Sequence, residues 1–270
     1  MANYVGSTVF INGSKRAILY FLNKGLKNNK LSLRVSTRMP GEKIASLLAD
    51  IDRKHCLATF SFLPHPKTFD HWDTTNKMLD YENWCRKSGT MDYPNPEEAY
   101  RKYVRGYRRA VAYQKKKYGL VGWYEWAAKH HGCKWAAFER WKCLKDEDGI
   151  MLLSAKVESP WAPPITFFEY MNALDGITVY AYGVEYCYYG YKYNGRTGKT
   201  EEIEICDSDC RYQTLLQEYA AEKGVDLNSE EAKNGYIPNF FPEEVAARLL
   251  VEHLDKFKAE INSELGLQSK

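Results

Sequence analysis

The alternation of apolar and polar residues predicts a strand that leads directly into a helix at the start of the chain. Residues 4–12 alternate loosely, as a strand does, and a helical pattern follows over 15–26 after Gly13-Ser14. A strand feeding straight into a helix is how a βαβ-type α+β unit begins. Further patterns predict a strand over 31–38, a helix over 42–51, and a strand over 55–63 with Cys56, Ala58, Phe60 and Phe62 on one face.

The clearest helix start in the sequence lies at Pro96, after a polar stretch rich in turn formers. Asn95 is a good N-cap, Pro96 suits the first helical position, and the two glutamates that follow complement the helix dipole. The pattern predicts a helix from Pro96 to Tyr118 that ends at Gly119 and is about 34 Å long.

A tryptophan-rich stretch follows over 119–141. It holds four of the seven tryptophans of the chain: Trp123, Trp126, Trp135 and Trp141. Such a cluster is either the heart of a core or an aromatic platform. The spacing favours a helical hairpin packed in the core, with Phe138 in its second half and Gly132 as the turn or C-cap between the halves.

The remaining patterns predict strands first and helices afterwards. Strands are predicted over 150–157, 176–189 and 199–205, with a hairpin turn at Asn194-Gly195 and a helix over 164–174. Helices are then predicted over 209–222 and 242–265. The chain as a whole is predicted to have an α+β fold.

Composition indicates the broad class of protein. A chain of 270 residues with 44% apolar residues can bury a real core, in one large domain or two small ones. It holds no run of 18 apolar residues and begins without a signal-peptide pattern, so we expect a cytoplasmic protein without membrane contact. The seven cysteines lack Cys-x-x-Cys spacing and glycine-rich phosphate loops are absent, so no metal or cofactor is predicted.

Charge is distributed unevenly along the chain. Residues 1–200 carry 31 Lys and Arg against 19 Asp and Glu, a net +12, whereas residues 201–270 carry 7 against 16, a net −9. The two parts therefore either attract each other or serve different partners.

The predicted helix 96–118 has the strongest nucleic-acid-like pattern in the sequence. Tyrosines recur at helical spacing, and the other positions hold eight basic residues: Arg101, Lys102, Arg105, Arg108, Arg109, Lys115, Lys116 and Lys117. Basic side chains interleaved with tyrosines suit a phosphate backbone. The alternative is an ordinary solvated face, whose positive charge is balanced by the acidic segment or by an acidic protein partner.

Several residues near the tryptophans are of types that form ion pairs or act in catalysis. Lys134 and Glu185 are candidates for an ion pair, either in a groove or beneath the tryptophans. His130 and His131 beside Cys133 are ingredients of Cys–His nucleophile chemistry. Adjacency in sequence is not the spatial geometry that this chemistry requires, and no oxyanion-donor motif accompanies them, so no catalytic residue is assigned.

Four short elements in the centre of the chain carry a family resemblance. They are Trp123-Tyr124-Glu125-Trp126, Gly132-Cys133-Lys134-Trp135-Ala136, Ser159-Pro160-Trp161-Ala162-Pro163-Pro164, and Tyr182-Gly183-Val184-Glu185 with Gly190. In this combination the chain resembles the YubB-like family of plasmid- and phage-borne proteins, whose biochemical function is unsettled. The match covers chiefly residues 119–193, and it departs from the family pattern at His130-His131 and Cys133.

The resemblance implies a ferredoxin-like core and no agreed catalytic residues. We expect that core over 1–205, with an inserted loop and helix at about 70–118, and an acidic helical extension over 206–270 packed on it. The shared residues also define a candidate groove. It comprises Trp123, Lys134, Trp135, Trp161, Tyr182 and Glu185.

Three functional hypotheses follow. The first is a non-catalytic binding protein of a phage or plasmid that docks on a host or viral protein, with a counter-defence role. The second is a nucleic-acid-binding protein that uses the helix 96–118. The third is an enzyme acting on a nucleotide or nucleic acid through His130, His131 and Glu185.

Overall fold

The computed structural model describes residues 4–31, 33–55, 57–71, 74, 78–89, 95–185, 188–206, 208–229 and 242–267. The strands are β1 (Tyr4–Ser14), β2 (Leu57–Ala58), β3 (Ala137–Glu147), β4 (Ile150–Pro160), β5 (Ile177–Glu185), β6 (Tyr189–Asn194) and β7 (Lys199–Glu204). The helices are α1 (Lys15–Asn28), α2 (Gly41–His55), α3 (Thr59–Phe62), α4 (Lys67–His71), α5 (Tyr81–Ser88), α6 (Pro96–Tyr118), α7 (Gly122–His131), α8 (Ile165–Asn172), α9 (Cys210–Lys223) and α10 (Pro242–Glu264).

All seven strands form one open antiparallel sheet in the order β2-β3-β4-β1-β5-β6-β7. β1 pairs with β4 along its whole length and with β5 from Val5 to Gly13. Because side chains alternate across a strand, β1 sends Val5, Val9 and Ile11 to one face of the sheet and Thr8 and Phe10 to the other. The α+β class predicted from the sequence is confirmed.

The two faces are covered by different helices. The first face carries the main core, in which β1 packs with apolar residues of α1, α2 and α8. On the second face, Phe10, Leu152 and Tyr180 pack against Ile261 of α10. α9 and α10 also pack on each other around Tyr219 and Leu250. None of the described helices has both the length and the apolar composition that crossing a bilayer requires.

Local capping explains why most helices lie where the sequence places them. Ser14 accepts a hydrogen bond from the backbone N–H of Ala17 at the start of α1. Asn95 does the same for Glu98 at the start of α6, and Gly119 ends that helix with φ of 71°. The helices predicted over 42–51, 164–174, 209–222 and 242–265 are also present.

Two predicted strands in the first quarter of the chain are wrong. Residues 33–38 form no strand, because the side chain of Asn23 takes both backbone groups of Val35, donating at 2.8 Å and accepting at 2.9 Å. The strand predicted over 55–63 is limited to β2, because the Ser61 hydroxyl accepts from the N–H of Ala58 and α3 begins at Thr59. Cys56 lies outside the described residues.

The predicted helical hairpin of the tryptophan-rich stretch is also wrong in its second half. α7 ends at Gly132, whose φ of 78° makes it the predicted C-cap, but the chain then continues into strand β3. Phe138 and Trp141 therefore reach the core from a strand, with their rings stacked 5.6 Å apart. The strand predicted over 176–189 ends earlier, at Glu185, and Tyr189 begins the next strand, β6, which pairs antiparallel with β5.

His131 ties α7 to the segment around α3. It is fully buried, its Nε2 lies 2.9 Å from the carbonyl oxygen of Leu63, and its Nδ1 lies 3.2 Å from the hydroxyl of Thr59. Because a carbonyl only accepts, Nε2 carries the proton and Nδ1 accepts from Thr59. Burial lowers the pKa of this imidazole to about 4. The histidine is therefore a neutral structural bridge.

This bridge predicts acid sensitivity. The unfolded chain protonates His131 near pH 6.5 and the folded chain only near 4. The contribution of neutral His131 to the free energy of unfolding is therefore complete above pH 6.5 and is lost as the pH falls towards 4. We expect about 1.4 kcal/mol of unfolding free energy to be lost per pH unit in this window. Urea unfolding at a series of pH values measures it, with His131→Gln as the variant that loses this slope. An unchanged slope in His131→Gln would contradict the assignment.

Candidate nucleic-acid interface

The basic residues of α6 lie mainly on one exposed face of the helix. At 100° per residue, seven of the eight fall within an arc of about 140°, and all seven are exposed. We call this surface the basic arc. It comprises Arg101, Lys102, Arg105, Arg108, Arg109, Lys115 and Lys116.

Ion pairs occupy only one end of the basic arc. Arg101 lies 3.4 Å from Glu97, and Lys102 lies 3.5 Å from Glu98, each pair one turn apart in the first half of α6. Within the described ranges, no ion pair involves the five remaining cations of the arc. From Arg105 to Lys116 these side chains extend for about 16 Å along the helix. In this part of the arc, no described carboxylate forms an ion pair with the positive charges.

The opposite face of α6 holds the helix in place. Tyr100 and Tyr103 pack on the ring of Trp84 in α5, at centroid distances of 5.7 Å each. Further along, Gln114 is buried, and its Oε1 accepts from the N–H of Gly122 at the start of α7. The tyrosines interleaved with the basic residues are thus largely used for packing, while Tyr113 is 47% exposed.

Lys117 differs from the other predicted contact residues. Its Nζ lies 2.9 Å from the Tyr113 hydroxyl and over the rings of Tyr113 and Tyr118. Lys117 therefore lies beside the basic arc and is engaged by the tyrosines.

The acidic C-terminal segment meets the chain elsewhere. Lys192 of β6 is buried and pairs with Glu201 at 3.0 Å and with Glu260 of α10. Asn194, at the end of the same strand, donates to Glu264 at 2.7 Å. No described ion pair joins α6 to residues 201–270. The described contacts therefore support an acidic segment that packs on the sheet without covering the basic arc.

Part of the groove predicted from the family resemblance is assembled. The Nζ of Lys134 lies 5.6 Å from the ring centroids of both Trp123 and Trp161. We call these three residues the aromatic patch. Trp161 is 48% exposed, so one face of a large ring is open to solvent beside a cation.

The backbone of Trp161 is strained. Its φ is 65°, and the N–H of Ala162 donates to the carbonyl of Pro160 at 2.9 Å, which makes Trp161 the centre of a γ-turn with positive φ. A bulky residue in this conformation is a genuine outlier. The Ser159 hydroxyl braces the turn by donating to the carbonyl of Ala162 at 2.7 Å.

The other predicted groove residues lie apart from the aromatic patch. Trp135 packs against Tyr4, with ring centroids 6.1 Å apart. Glu185 pairs with Val5 at the end of β5, and no described ion pair joins it to Lys134. Tyr182 points to the opposite face of the sheet from Glu185, because three positions separate them on one strand.

The two other tryptophans of the stretch 119–141, Trp126 and Trp141, make contacts within the chain. Trp141 is buried in the main core, and Trp126 packs on His130 with ring centroids 3.8 Å apart. The sequence left open whether the tryptophans form a core or an aromatic platform; Trp141 is buried, and Trp161, outside the stretch, is 48% exposed. Prolines on either side of Trp161 were the one sequence signal for its exposed turn.

The Cys–His candidates do not form a nucleophile pair. Burial raises the pKa of the Cys133 thiol to about 12, so the thiol stays protonated at neutral pH, and it donates to the carbonyl of Trp135 at 3.2 Å. His131 is engaged by Thr59 and Leu63, as described above. In the described part of the chain, no cluster of three or more His, Cys, Asp or Glu residues could hold a metal ion.

The fold and these surfaces define an α+β protein with an open antiparallel sheet, an exposed basic arc and an exposed tryptophan beside a lysine. No protein family, curated protein or solved structure matches this chain in the comparisons with known proteins.

The strain at Trp161 predicts an inverted order of two variants. Trp161→Ala and Trp161→Gly both lose the indole and its contact with Lys134, but only glycine relieves the positive φ. At an ordinary position glycine is the less stable of the two by about 0.5–1 kcal/mol. At Trp161 we expect the glycine variant to be more stable by about 1 kcal/mol in urea unfolding. Trp135→Ala and Trp135→Gly form the control, and the same order at both positions would contradict the assignment.

Proposed function

We propose that this chain is a binding protein whose partner is nucleic acid and whose interface is the basic arc of α6. The observation that carries the proposal is the run of five exposed cations from Arg105 to Lys116 without a described carboxylate partner. Phosphate backbones attract such surfaces by charge and by the release of counterions. Because the tyrosine face of α6 packs on α5, the helix holds its cations at a fixed spacing.

The chemistry of the arc suits backbone contact more than sequence readout. Three of the five cations are arginines, whose planar guanidinium groups bind phosphate oxygens in a bidentate manner. Next to them, Tyr113 is exposed beside Lys67 and Arg109, which offers one ring for stacking on an unpaired base. These features favour a single strand, or a duplex contacted along its phosphates.

The salt dependence of binding tests this proposal. Combined Arg105→Ala, Arg108→Ala and Arg109→Ala substitutions should lower the slope of log K against log salt by about 2 to 3. The measurement is fluorescence anisotropy of a labelled 20-nucleotide strand and a 20-base-pair duplex over a salt series. The matched control replaces Arg16, Arg34 and Arg38, three exposed arginines outside α6, by alanine. Equal slopes for the two triple variants would show that the arc is not the interface.

A second candidate function is docking on a host or viral protein through the aromatic patch. It is favoured by the strained and exposed Trp161, because strain of this kind persists at recognition sites. A mobile-element origin and a counter-defence role stay predictions from the family resemblance. The ferredoxin-like core is proposed too, supported by the order β3-β4-β1-β5 with α1 and α8 as the connecting helices.

Copurification with and without nuclease separates the two candidates. For docking on a protein, we expect a discrete partner that persists after nuclease treatment with the wild type and is lost with Trp161→Gly. Tyr20→Ala is the control, since Tyr20 is 74% exposed and lies on α1. Bound material that disappears with nuclease would instead reject protein docking and favour the basic arc.

A further inference from the structure

A second basic surface lies on the far face of the sheet, where α10 leaves β3 and β4 partly uncovered. It is a groove of about 600 Å³ between β1, β3, β4 and the C-terminal part of α10. Four cations line it: Arg140, Lys142, Lys156 and Lys258. α6 contacts α7 through Gln114 and Tyr118, and α7 packs on α8, which belongs to the main core on the opposite face. This basic groove is therefore separate from the basic arc.

The four cations have no carboxylate partner among the described ion pairs. Lys156 donates instead to the hydroxyl of Thr8 at 2.7 Å. Glu139 stands opposite Lys156 in the register of β3 and β4, but it does not line the groove. Burial, and then the charges of Arg140, Lys142 and Lys258, lower the pKa of Lys156. Like charges gathered in this way are unfavourable until an anion joins them.

A β-bulge creates this arrangement. Glu139 pairs with Lys156 and Lys142 pairs with Ser154, so two residues of β3 oppose the single residue Ala155 of β4. Arg140 is the extra residue, and its φ of 53° is a conformation that favours glycine. The bulge keeps Trp141 in the core while the side chains on both sides of it line the groove. The bulge thus holds Arg140 in a strained conformation, in which its side chain adds a positive charge to the groove.

The rest of the lining determines the ligand class. Leu144, which is 40% exposed, Leu267 and the edge of Phe10 supply apolar contact area. Ser154 and Asn262 supply hydrogen-bonding groups at the same groove. A bare phosphate would use only the cations, whereas the volume is in the range of small-molecule sites.

We propose that the basic groove binds a small organic phosphate of the mononucleotide class, with its phosphate on Arg140, Lys142 and Lys156 and its organic part on Leu144 and Leu267. The contacts from Lys258 and Asn262 make α10 one wall of the site. The proposal does not depend on the nucleic-acid interface, because no residue is shared between the two surfaces.

Isothermal titration of the full chain with AMP, ATP, adenosine and inorganic phosphate at constant ionic strength tests the proposal. We expect AMP to bind more tightly than phosphate or adenosine, and Lys156→Gln to weaken AMP binding by about tenfold or more. Arg140→Gly should weaken it similarly while stabilising the fold, because glycine accepts the positive φ. This second variant keeps the test valid if Lys156→Gln folds poorly.

The controls separate this site from the basic arc. Lys43→Gln, an exposed lysine of α2, and the triple alanine variant of Arg105, Arg108 and Arg109 should bind AMP as the wild type does. AMP that binds no more tightly than phosphate would overturn the proposal. Unchanged binding in both groove variants, or loss of binding in the α6 triple variant, would also overturn it.

Discussion

The double pairing of β1 is the constraint on which the rest of the structure depends. This strand bonds to β4 on one edge and to β5 on the other over most of its length. A slip of one residue would exchange its buried Val9 and Ile11 with Thr8 and Phe10, so the register is firmly set. With the register set, the two faces of the sheet are fixed as different environments. One face receives α1, α8 and the elements leading to α6, and the other receives α10.

This separation of faces explains the charge distribution. The acidic C-terminal segment is attached to the sheet through Lys192, where burial opposes the charged form but hydrogen bonds to Glu260 and Glu201 raise the pKa overall. Glu260 and Glu264, which bind Lys192 and Asn194, hold α10 against the sheet. The described cations of the basic arc beyond Lys102 and those of the basic groove are left without carboxylates. Within the described residues their positive charge is therefore not paired with acidic side chains.

Local signals predicted the helices because helix ends are encoded by neighbouring residues. Asn95, Pro96 and Gly119 specify both ends of α6 without reference to the rest of the fold. Strands depend on distant partners, so the pattern over 31–38 could not reveal that Asn23 satisfies Val35. The strand predicted over 55–63 was wrong for a different, local reason: Ser61 bonds to the N–H of Ala58, and the short helix α3 buries alternate residues as a strand would.

The candidate sites also differ in whether local sequence or the distant pairing of strands creates them. The basic arc follows from helical spacing alone, and the sequence therefore identified it. The basic groove joins Thr8, Arg140, Lys156 and Lys258 from four elements, and only the sheet topology brings them together. Of the groove residues that the resemblance suggested, Lys134 lies over Trp123 and Trp161, whereas Tyr182 and Glu185 lie on opposite faces of β5.

Backbone strain occurs in two of the proposed binding surfaces. Four non-glycine residues in the described ranges have positive φ: Lys30, Arg140, Asp148 and Trp161. Lys30 ends α1, where Leu31 bonds back to Leu26, and Asp148 forms the hairpin turn between β3 and β4 with Gly149. These two conformations follow from ordinary chain reversal. Arg140 and Trp161 have bulkier side chains, and each lies in a proposed binding surface. Strain persists only where the surroundings impose it. The sheet bulge imposes it at Arg140 and the braced γ-turn at Trp161, so both side chains are held in position before any partner arrives.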